Sequence, residues 1–142
     1  GGEKPSAVVD AIDQVRVKVA MVAFCHAQGI PIVTVGAAGG QIDPTKIMAD
    51  DLSRTIQDPL LSKVRAALRK EHGFTRDAKK KFGVTAIYST EPLRYPSADA
   101  SCSTENSGPQ GLNCAGFGSS VCVTAGFGFA AAAQVINQLA AC

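Results

Sequence analysis

One pattern in the first 36 residues restricts the fold more than any other feature of the chain. Residues 7–10 form a short apolar run that ends in the carboxylate of Asp10, as at the carboxyl end of a buried strand. Residues 15–28 follow with apolar side chains at helical spacing, and Asp13 is placed to cap this helix. Residues 31–36 are then almost continuously apolar, which is typical of a parallel strand covered on both faces. The pattern predicts a right-handed βαβ unit and hence an α/β fold.

The remaining segments continue this alternation of strands and helices. Asp58 and Pro59 together form a strong helix start, with the aspartate as cap and the proline in the first turn. We predict a glycine-rich loop over residues 37–43, a short strand near Ile47, a helix from Asp58 to Gly73, a strand over residues 84–89, a long polar loop over residues 94–116 and a helix over about residues 119–140.

This set of elements leaves one edge of a parallel sheet exposed, although such sheets are normally larger and covered. The first strand also begins only a few residues into the chain. We therefore predict the second half of a Rossmann-like, mostly parallel α/β sheet with flanking helices and a long C-terminal helix. On this prediction, residues 1–142 are the C-terminal part of one domain, and its N-terminal, ATP-binding half is absent.

The composition suits one domain with a single core, since 46% of the 142 residues are hydrophobic and 18% are charged. The net charge of +2 is unevenly distributed: residues 63–81, the basic block, carry +6 and the rest of the chain carries −4. Such a block can bind nucleic-acid phosphates, and it is equally consistent with a solvated helix face and loop. Its eight cations are Lys63, Arg65, Arg69, Lys70, Arg76, Lys79, Lys80 and Lys81.

The C-terminal stretch carries no charged side chain after Glu105. Residues 114–133 include only three polar side chains and are long enough to cross a bilayer. However, they are rich in glycine and alanine, and no lysine or arginine follows them to set an orientation. We predict a helix buried in a core or subunit interface rather than in a membrane, although hydropathy alone would suggest a span.

The cysteines indicate reduced thiols, because no CxxC pair and no disulfide-scaffold spacing occurs. Without a signal peptide at its start, the chain is predicted to be cytoplasmic. Cys25 and Cys122 have apolar neighbours and are best explained as small core residues. The five cysteines are Cys25, Cys102, Cys114, Cys122 and Cys142.

Candidate ligand-binding groups follow the predicted strands. Asp10 and Asp13 lie where open α/β sheets bind ligands, and a carboxylate there can hold Mg²⁺ that is bound to phosphates. The alternative for Asp13 is a helix cap and nothing more. The glycine-rich residues 36–40 and 116–120 form either ion-binding backbone nests or simple tight turns. The two histidines have no partner at metal-ligand spacing, and no complete phosphate-binding fingerprint occurs.

Four motifs in a fixed order resemble one family. They are VDAIDQVRVK at residues 9–18, GGQIDP at 39–44, TIQDP at 55–59 and YSTE at 88–91. The set resembles the tRNA threonylcarbamoyladenosine dehydratases, within the superfamily that adenylates ubiquitin-like and sulfur-carrier proteins, and the resemblance runs over nearly the whole chain. It implies an enzyme that uses ATP to activate the carboxylate of a modified adenosine in the tRNA anticodon loop. Loss of the activated oxygen then closes a cyclic hydantoin.

The resemblance also implies roles for individual residues. Asp13 would be the catalytic residue that acts with Mg²⁺ and the ATP phosphates, and Asp10, Gly40 and Gln41 would lie beside it at the ATP site. The last helix would form a homodimer core. With tRNA as the implied substrate, the charge of the basic block suggests the residues that contact its phosphates, namely Lys63, Arg69, Lys70, Arg76, Lys79, Lys80 and Lys81.

A second implied feature is a monovalent-cation loop for Na⁺ or K⁺ near the last helix, at Cys114, Gly116 and Gly118. No structural zinc is expected, because residues 89–91 stand where sulfur-carrier activators have their first zinc-ligand pair. For the same reason a thioester mechanism through Cys102 or Cys114 is disfavoured.

The glycine-rich turn that cradles ATP in the family would precede residue 1, so we expect this chain alone to be inactive and to bind little ATP. Two alternatives stay open. One is an E1-like adenylating or non-catalytic interaction module of a sulfur-relay system, docking on a partner protein through the exposed sheet edge. The other is a single-pass membrane protein.

Overall fold

The computed structural model describes residues 2–95 and 118–141 of the chain. These residues form a four-stranded sheet and three α-helices, with two short 3₁₀ turns at Pro44–Lys46 and Leu52–Arg54. In chain order the elements are β1 (Val8–Asp10), α1 (Val15–Ala27), β2 (Ile32–Val35), β3 (Ile47–Asp51), α2 (Pro59–Glu71), β4 (Thr85–Ser89) and α3 (Val121–Ala140).

The sheet has the strand order β1-β2-β4-β3 and is mostly parallel. Strands β1, β2 and β4 run parallel, with Val9 opposite Val33 and Val33 opposite Thr85, whereas β3 is antiparallel to β4. The predicted α/β class and the long C-terminal helix are therefore confirmed. Within the described residues β1 is an edge strand, and Val9 on it remains 47% exposed. The predicted exposed parallel edge is thus present.

The two faces of the sheet pack against different helices, because side chains alternate along each strand. On one face, Ile32 and Ala86 join α1 and α2 in the larger apolar cluster. On the other face, Val33, Val35 and Ile87 pack against α3. The described residues therefore form three layers, with the sheet between the α1/α2 pair and α3. The helices cover the two faces of the sheet and leave the ends of its strands uncovered.

The cap residue predicted from the sequence is correct for α2 and wrong for α1. Asp58 caps α2 as predicted, since its Oδ1 accepts a 2.9 Å hydrogen bond from the Leu61 amide. For α1 the cap residue is Gln14, and no side-chain cap hydrogen bond forms. The expectation that Asp13 caps this helix is wrong, because Asp13 lies one residue before the cap position, where its carboxylate makes no cap bond.

Helix α3 has apolar side chains on two opposite sides. Val123, Phe127 and Ala131 are buried against the sheet. Phe129 and Ile136, 77% and 63% exposed, lie on the outer side, so the helix is not buried all round within the described residues. Its length and mean hydropathy of 1.2 also meet the criteria for a membrane span, as the sequence suggested, although core helices of soluble proteins meet them too. Among the described residues, no element covers this outer side.

Candidate nucleotide-phosphate site

A cavity of about 280 Å³ opens at the carboxyl ends of β1 and β2, beneath the first half of α3. Its floor is the backbone of residues 36–39, and its sides include Asp13, Ser119 and Thr124, with Phe127 and Ala131 from α3. The carboxyl edge of parallel strands is the position at which open α/β sheets bind ligands. The cavity combines a carboxylate, two hydroxyls and exposed backbone with an apolar wall, which suits a ligand with polar and apolar parts.

Among the described residues, Asp13 is the one carboxylate that lines this cavity. Its side chain is exposed, and it makes no hydrogen bond or ion pair with residues 2–95 or 118–141. Because it does not cap α1, its oxygens are available to a ligand. The sequence alternative of a structural cap is therefore removed, and the candidate role as a metal or phosphate ligand remains a prediction.

Asp10 lies three residues away but is buried at 1% exposure behind the strand end. Its Oδ2 accepts a 2.7 Å hydrogen bond from Thr34 Oγ1 and lies 2.8 Å from Lys18 Nζ, and its Oδ1 accepts a 3.0 Å hydrogen bond from the Ile12 amide. All of its oxygens thus serve the protein's own structure. Asp10 supports the strand end and is not among the residues that line the cavity.

Lys18 is a functional candidate that the sequence analysis missed. Its side chain is fully buried, although it belongs to the first half of α1. Burial lowers the pKa of the Lys18 ammonium from its ordinary value, and the hydrogen bond and charge of Asp10 oppose that change. The available signal was its position three residues after Val15 and four before Val22, which places a lysine on the apolar stripe of the helix.

Asp58 joins α2 to the cavity floor. Its Oδ2 accepts a 2.9 Å hydrogen bond from the Ala37 amide, while its Oδ1 caps α2. Burial raises the pKa of this carboxyl group, and the amide hydrogen bonds partly offset the effect. Gly36 packs so closely on Asp58 that a Cβ atom at this position would collide with Oδ2.

Gly40 and Gln41 do not line the cavity but fix the loop that follows its floor. The Gly40 amide donates a 3.2 Å hydrogen bond to the Gly118 carbonyl, and the buried Gln41 Nε2 donates one of 3.4 Å to the Glu91 carbonyl. Glu91 Oε2 in turn accepts hydrogen bonds from the amides of Ile42 and Asp43, at 3.0 and 2.8 Å. In the sequence Glu91 was recognised only as part of the YSTE motif; its contacts lie about 50 residues away along the chain.

The predicted monovalent-cation loop is only partly within the described residues. Gly118 is exposed, and its carbonyl accepts the hydrogen bond from Gly40, whereas Cys114 and Gly116 lie outside the described residues. In residues 2–95 and 118–141 no group of three histidine, cysteine, aspartate or glutamate side chains could hold a metal ion by itself. A metal at Asp13 would therefore need ligands from a bound phosphate or from another part of the protein.

The basic block divides into structural and exposed cations. Arg69 Nε donates a 3.1 Å hydrogen bond to the Thr75 carbonyl, and its guanidinium lies 5.1 Å from the centre of the Phe82 ring. Arg65 donates a hydrogen bond to Thr55 Oγ1. The remaining six cations are exposed along α2 and its connection to β4, namely Lys63, Lys70, Arg76, Lys79, Lys80 and Lys81.

Comparisons with known proteins agree with the motif resemblance. No protein-family model matches the chain. The tRNA threonylcarbamoyladenosine dehydratase of Haemophilus influenzae is 48% identical over 133 residues, which are 93% of this chain and 49% of that protein. The Escherichia coli dehydratase is 46% identical over 140 residues, which are 96% of this chain and 52% of that protein. The chain thus spans about half the length of the curated relatives it matches.

Solved structures show the same relationship. The crystal structure of the Escherichia coli tRNA N6-threonylcarbamoyladenosine dehydratase in complex with AMP matches 96% of this chain and 49% of that one, at a TM-score of 0.80 and 44% identity. The same enzyme in complex with ATP matches 97% of this chain and 49% of that one, at a TM-score of 0.80 and 43% identity.

The mostly parallel sheet, its helices on both faces and the cavity at the strand ends define an α/β chain of the Rossmann-like class. Within that class, the chain is similar in sequence and structure to the tRNA threonylcarbamoyladenosine dehydratases and corresponds to about half of their length.

Proposed function

We propose that the chain is part of an ATP-dependent dehydratase that cyclises threonylcarbamoyladenosine in tRNA. The family relationship supports this proposal, as do the AMP and ATP complexes of the Escherichia coli enzyme. In the proposed reaction a carboxylate oxygen of the modified adenosine bonds to the α-phosphorus of ATP, and pyrophosphate leaves. A nitrogen of the same side chain then loses a proton and attacks the acyl carbon, so that AMP departs with the carboxylate oxygen and the hydantoin ring closes.

Asp13 is the residue through which this chain contributes to ATP binding. The observation that carries the proposal is its exposed, uncapped carboxylate beside the cavity, at the carboxyl edge of the parallel strands. When bound, Mg²⁺ would neutralise charge on the ATP phosphates. An oxygen ligand on a fixed turn suits Mg²⁺, which is usually held by one or two carboxylates together with substrate phosphates. The residues present therefore fit the group.

Mg²⁺-dependent ATP binding tests this role of Asp13. In the full-length protein, Asp13→Ala should weaken the binding of Mg·ATP, measured by titration calorimetry, and should leave the binding of AMP without metal nearly unchanged. Glu71→Ala is the matched control, because Glu71 is an exposed carboxylate at the end of α2 and does not line the cavity. Equal affinity of Asp13→Ala and the parent protein for Mg·ATP would contradict the proposed site.

The exposed cations of the basic block are proposed to bind tRNA phosphates. Six of them are free to do so, whereas Arg69, included in the predicted tRNA contacts, already holds Thr75 and Phe82. Helix α2 begins beside the cavity through the Asp58–Ala37 hydrogen bond, so the block continues along an element that starts at the proposed ATP site. The block then runs toward the start of β4, at the opposite edge of the sheet from the cavity, so an RNA that contacts both must span that distance.

The outer apolar side of α3 is proposed as part of a homodimer core. The exposed Phe129, Ile136 and Leu139 support this assignment, since an apolar stripe of this length is normally covered. A monovalent cation, a sulfur-relay partner and a cytoplasmic location stay predictions from the sequence resemblance and composition.

A further inference from the structure

The ion pair of Lys18 and Asp10 is the most deeply buried charged group in the described residues, with both side chains at 0% exposure. Moving two charges from water into a protein interior is costly. Their mutual attraction offsets much of this cost, but replacing such a pair with apolar side chains of similar volume is often neutral or stabilising. Stability alone therefore gives little reason for a lysine on the apolar stripe of α1.

The geometry of Lys18 connects three parts of the candidate site. Its Nζ donates hydrogen bonds to Asp10 Oδ2 at 2.8 Å and to the Asp10 carbonyl at 3.4 Å. Lys18 is therefore bonded to both the side chain and the backbone at the end of β1. Thr34 on the neighbouring strand β2 holds the same Oδ2. Lys18 thereby ties the first half of α1 to the carboxyl ends of both strands beneath the cavity.

The same contacts determine where Asp13 lies. Asp10 Oδ1 accepts the Ile12 amide, which fixes the backbone directly before Asp13. On the other side of the turn α1 begins, and the Lys18 backbone amide donates the ordinary helical hydrogen bond of 3.0 Å to the Gln14 carbonyl, which does not depend on the lysine side chain. The turn that carries Asp13 is therefore held on its strand side by Asp10, which Lys18 Nζ fixes in turn, while Asp13 itself makes no hydrogen bond within the described residues.

We propose that Lys18 is a positioning residue, which uses its buried contact with Asp10 to hold Asp13 in place for metal-bound ATP without touching the nucleotide. The proposal rests on the proposed function, because it assumes that Asp13 serves Mg·ATP. On this proposal Lys18 acts on Asp13 indirectly: it fixes Asp10, and Asp10 fixes the turn that carries Asp13. Buried partners that orient metal ligands commonly affect metal affinity by about 10- to 100-fold.

The test compares Mg·ATP and AMP binding in the full-length protein by titration calorimetry. Lys18→Met alone leaves the Asp10 carboxylate buried without a counter-charge, and such variants often fail to fold. The decisive variant therefore combines Asp10→Asn with Lys18→Met, which removes both charges; the new side chain keeps an acceptor oxygen for the Ile12 amide and turns an NH2 donor toward Thr34 Oγ1. Arg16→Met is the matched control, since Arg16 is an exposed cation on the same helix. Thermal unfolding of each variant shows that it is folded.

The double variant is expected to fold, to lose about 10-fold or more in affinity for Mg·ATP, and to bind metal-free AMP as the parent does. Unchanged affinity for Mg·ATP, or an equal loss for both nucleotides, would overturn the proposal, because Lys18 would then have no effect or only a general structural one. If the double variant does not fold, Thr34→Val is the deciding variant, because it removes one hydrogen-bond donor to Asp10 at nearly constant volume. It should cause a smaller loss of affinity for Mg·ATP, again without a loss for AMP. Unchanged affinity of Thr34→Val for Mg·ATP would overturn the proposal.

The outcome for Asp13→Ala separates this proposal from the proposed function. If Asp13→Ala loses affinity for Mg·ATP and the double variant does not, Asp13 keeps its role and Lys18 does not position it. If Asp13→Ala retains the parent affinity, the proposed function fails at this residue, and the positioning role fails with it.

Discussion

Asp58 Oδ2 accepts a 2.9 Å hydrogen bond from the amide of Ala37, so the residue that caps α2 also holds the floor of the cavity. One short side chain thereby connects the end of β2, the candidate ligand site and the helix that begins the basic block. The contact requires close approach, because the backbone of Gly36 passes directly over the carboxylate.

Gly36→Ala should destabilise the protein. The added Cβ would meet Asp58 Oδ2 and Cγ, and relief of such overpacking typically costs about 1–3 kcal/mol. Urea denaturation measures the change. Gly128→Ala is the control, because nothing lies within 4 Å of a Cβ at this exposed helical position, and the better helix propensity of alanine should stabilise by up to about 1 kcal/mol. Equal stability of the two variants would contradict the close contact.

Asp51 should make stability depend on acid pH. Burial opposes ionisation, but hydrogen bonds from Ser53 and from the Phe82 and Gly83 amides outweigh it and hold the pKa of Asp51 below its ordinary value. With a folded pKa below the unfolded one, the stabilisation is complete above the unfolded pKa and is lost as pH falls through the folded pKa. Asp51→Asn should therefore have a lower free energy of unfolding than the parent at neutral pH. The difference between the two free energies should become smaller as the pH falls.

Chemical denaturation at neutral pH and at a pH below the unfolded aspartate pKa measures this convergence. Glu71→Gln, which alters an exposed carboxylate without hydrogen bonds in the described residues, should show no such change. A difference between Asp51→Asn and the parent that stays constant with pH would show that the hydrogen bonds to Asp51 do not require its charge.

Replacing Lys79, Lys80 and Lys81 with alanine should weaken tRNA binding and flatten its salt dependence, because each lost phosphate contact lowers the number of counterions released. Affinity measured over a series of salt concentrations gives the slope. The control is Lys4→Ala with Lys46→Ala, two exposed cations outside the basic block. An unchanged slope in the triple variant would assign these lysines to solubility alone. Arg69→Ala should instead lower stability, since Arg69 packs on Phe82.

Phe129→Asp should dissociate the proposed homodimer, because it puts a charge into the outer apolar side of α3, where Phe129 is 77% exposed. Light scattering after size-exclusion chromatography in detergent-free buffer measures the mass. Gln134→Asp is the control, with the same new side chain at an exposed polar position of the helix. A dimer that survives Phe129→Asp would place the interface elsewhere, and a parent protein that needs detergent would favour the membrane alternative.

Local and periodic signals predicted most of the fold. The alternation before Gly36 gave the β1–α1–β2 unit, and Asp58 with Pro59 marked the start of α2 where the structure has it. The cap of α1 was not predictable, because Asp13 and Gln14 both precede the first turn and only backbone geometry decides between them. The sequence therefore placed Asp13 near the correct edge but did not show that its carboxylate is free.

Long-range contacts account for what the sequence analysis missed at the site. Gln41 was predicted to lie at the ATP site. Its side chain is instead buried, and its amide donates a hydrogen bond to the carbonyl of Glu91, 50 residues away along the chain. Lys18 belongs to the VDAIDQVRVK motif, but its burial depends on the ion pair with Asp10 at the end of β1. The outer side of α3 has no covering element among the described residues, so its apolar character alone could not distinguish a subunit interface from a core.

ATP-dependent cyclisation of tRNA by the full-length protein tests the central claim most directly. The chain's contribution to catalysis is proposed to be the Asp13 carboxylate at the carboxyl edge of the sheet, so Asp13→Asn should lower the turnover number about 100-fold or more while the protein stays folded. Glu71→Gln should retain the parent rate. Parent-level turnover by a folded Asp13→Asn variant would contradict the assignment of the site.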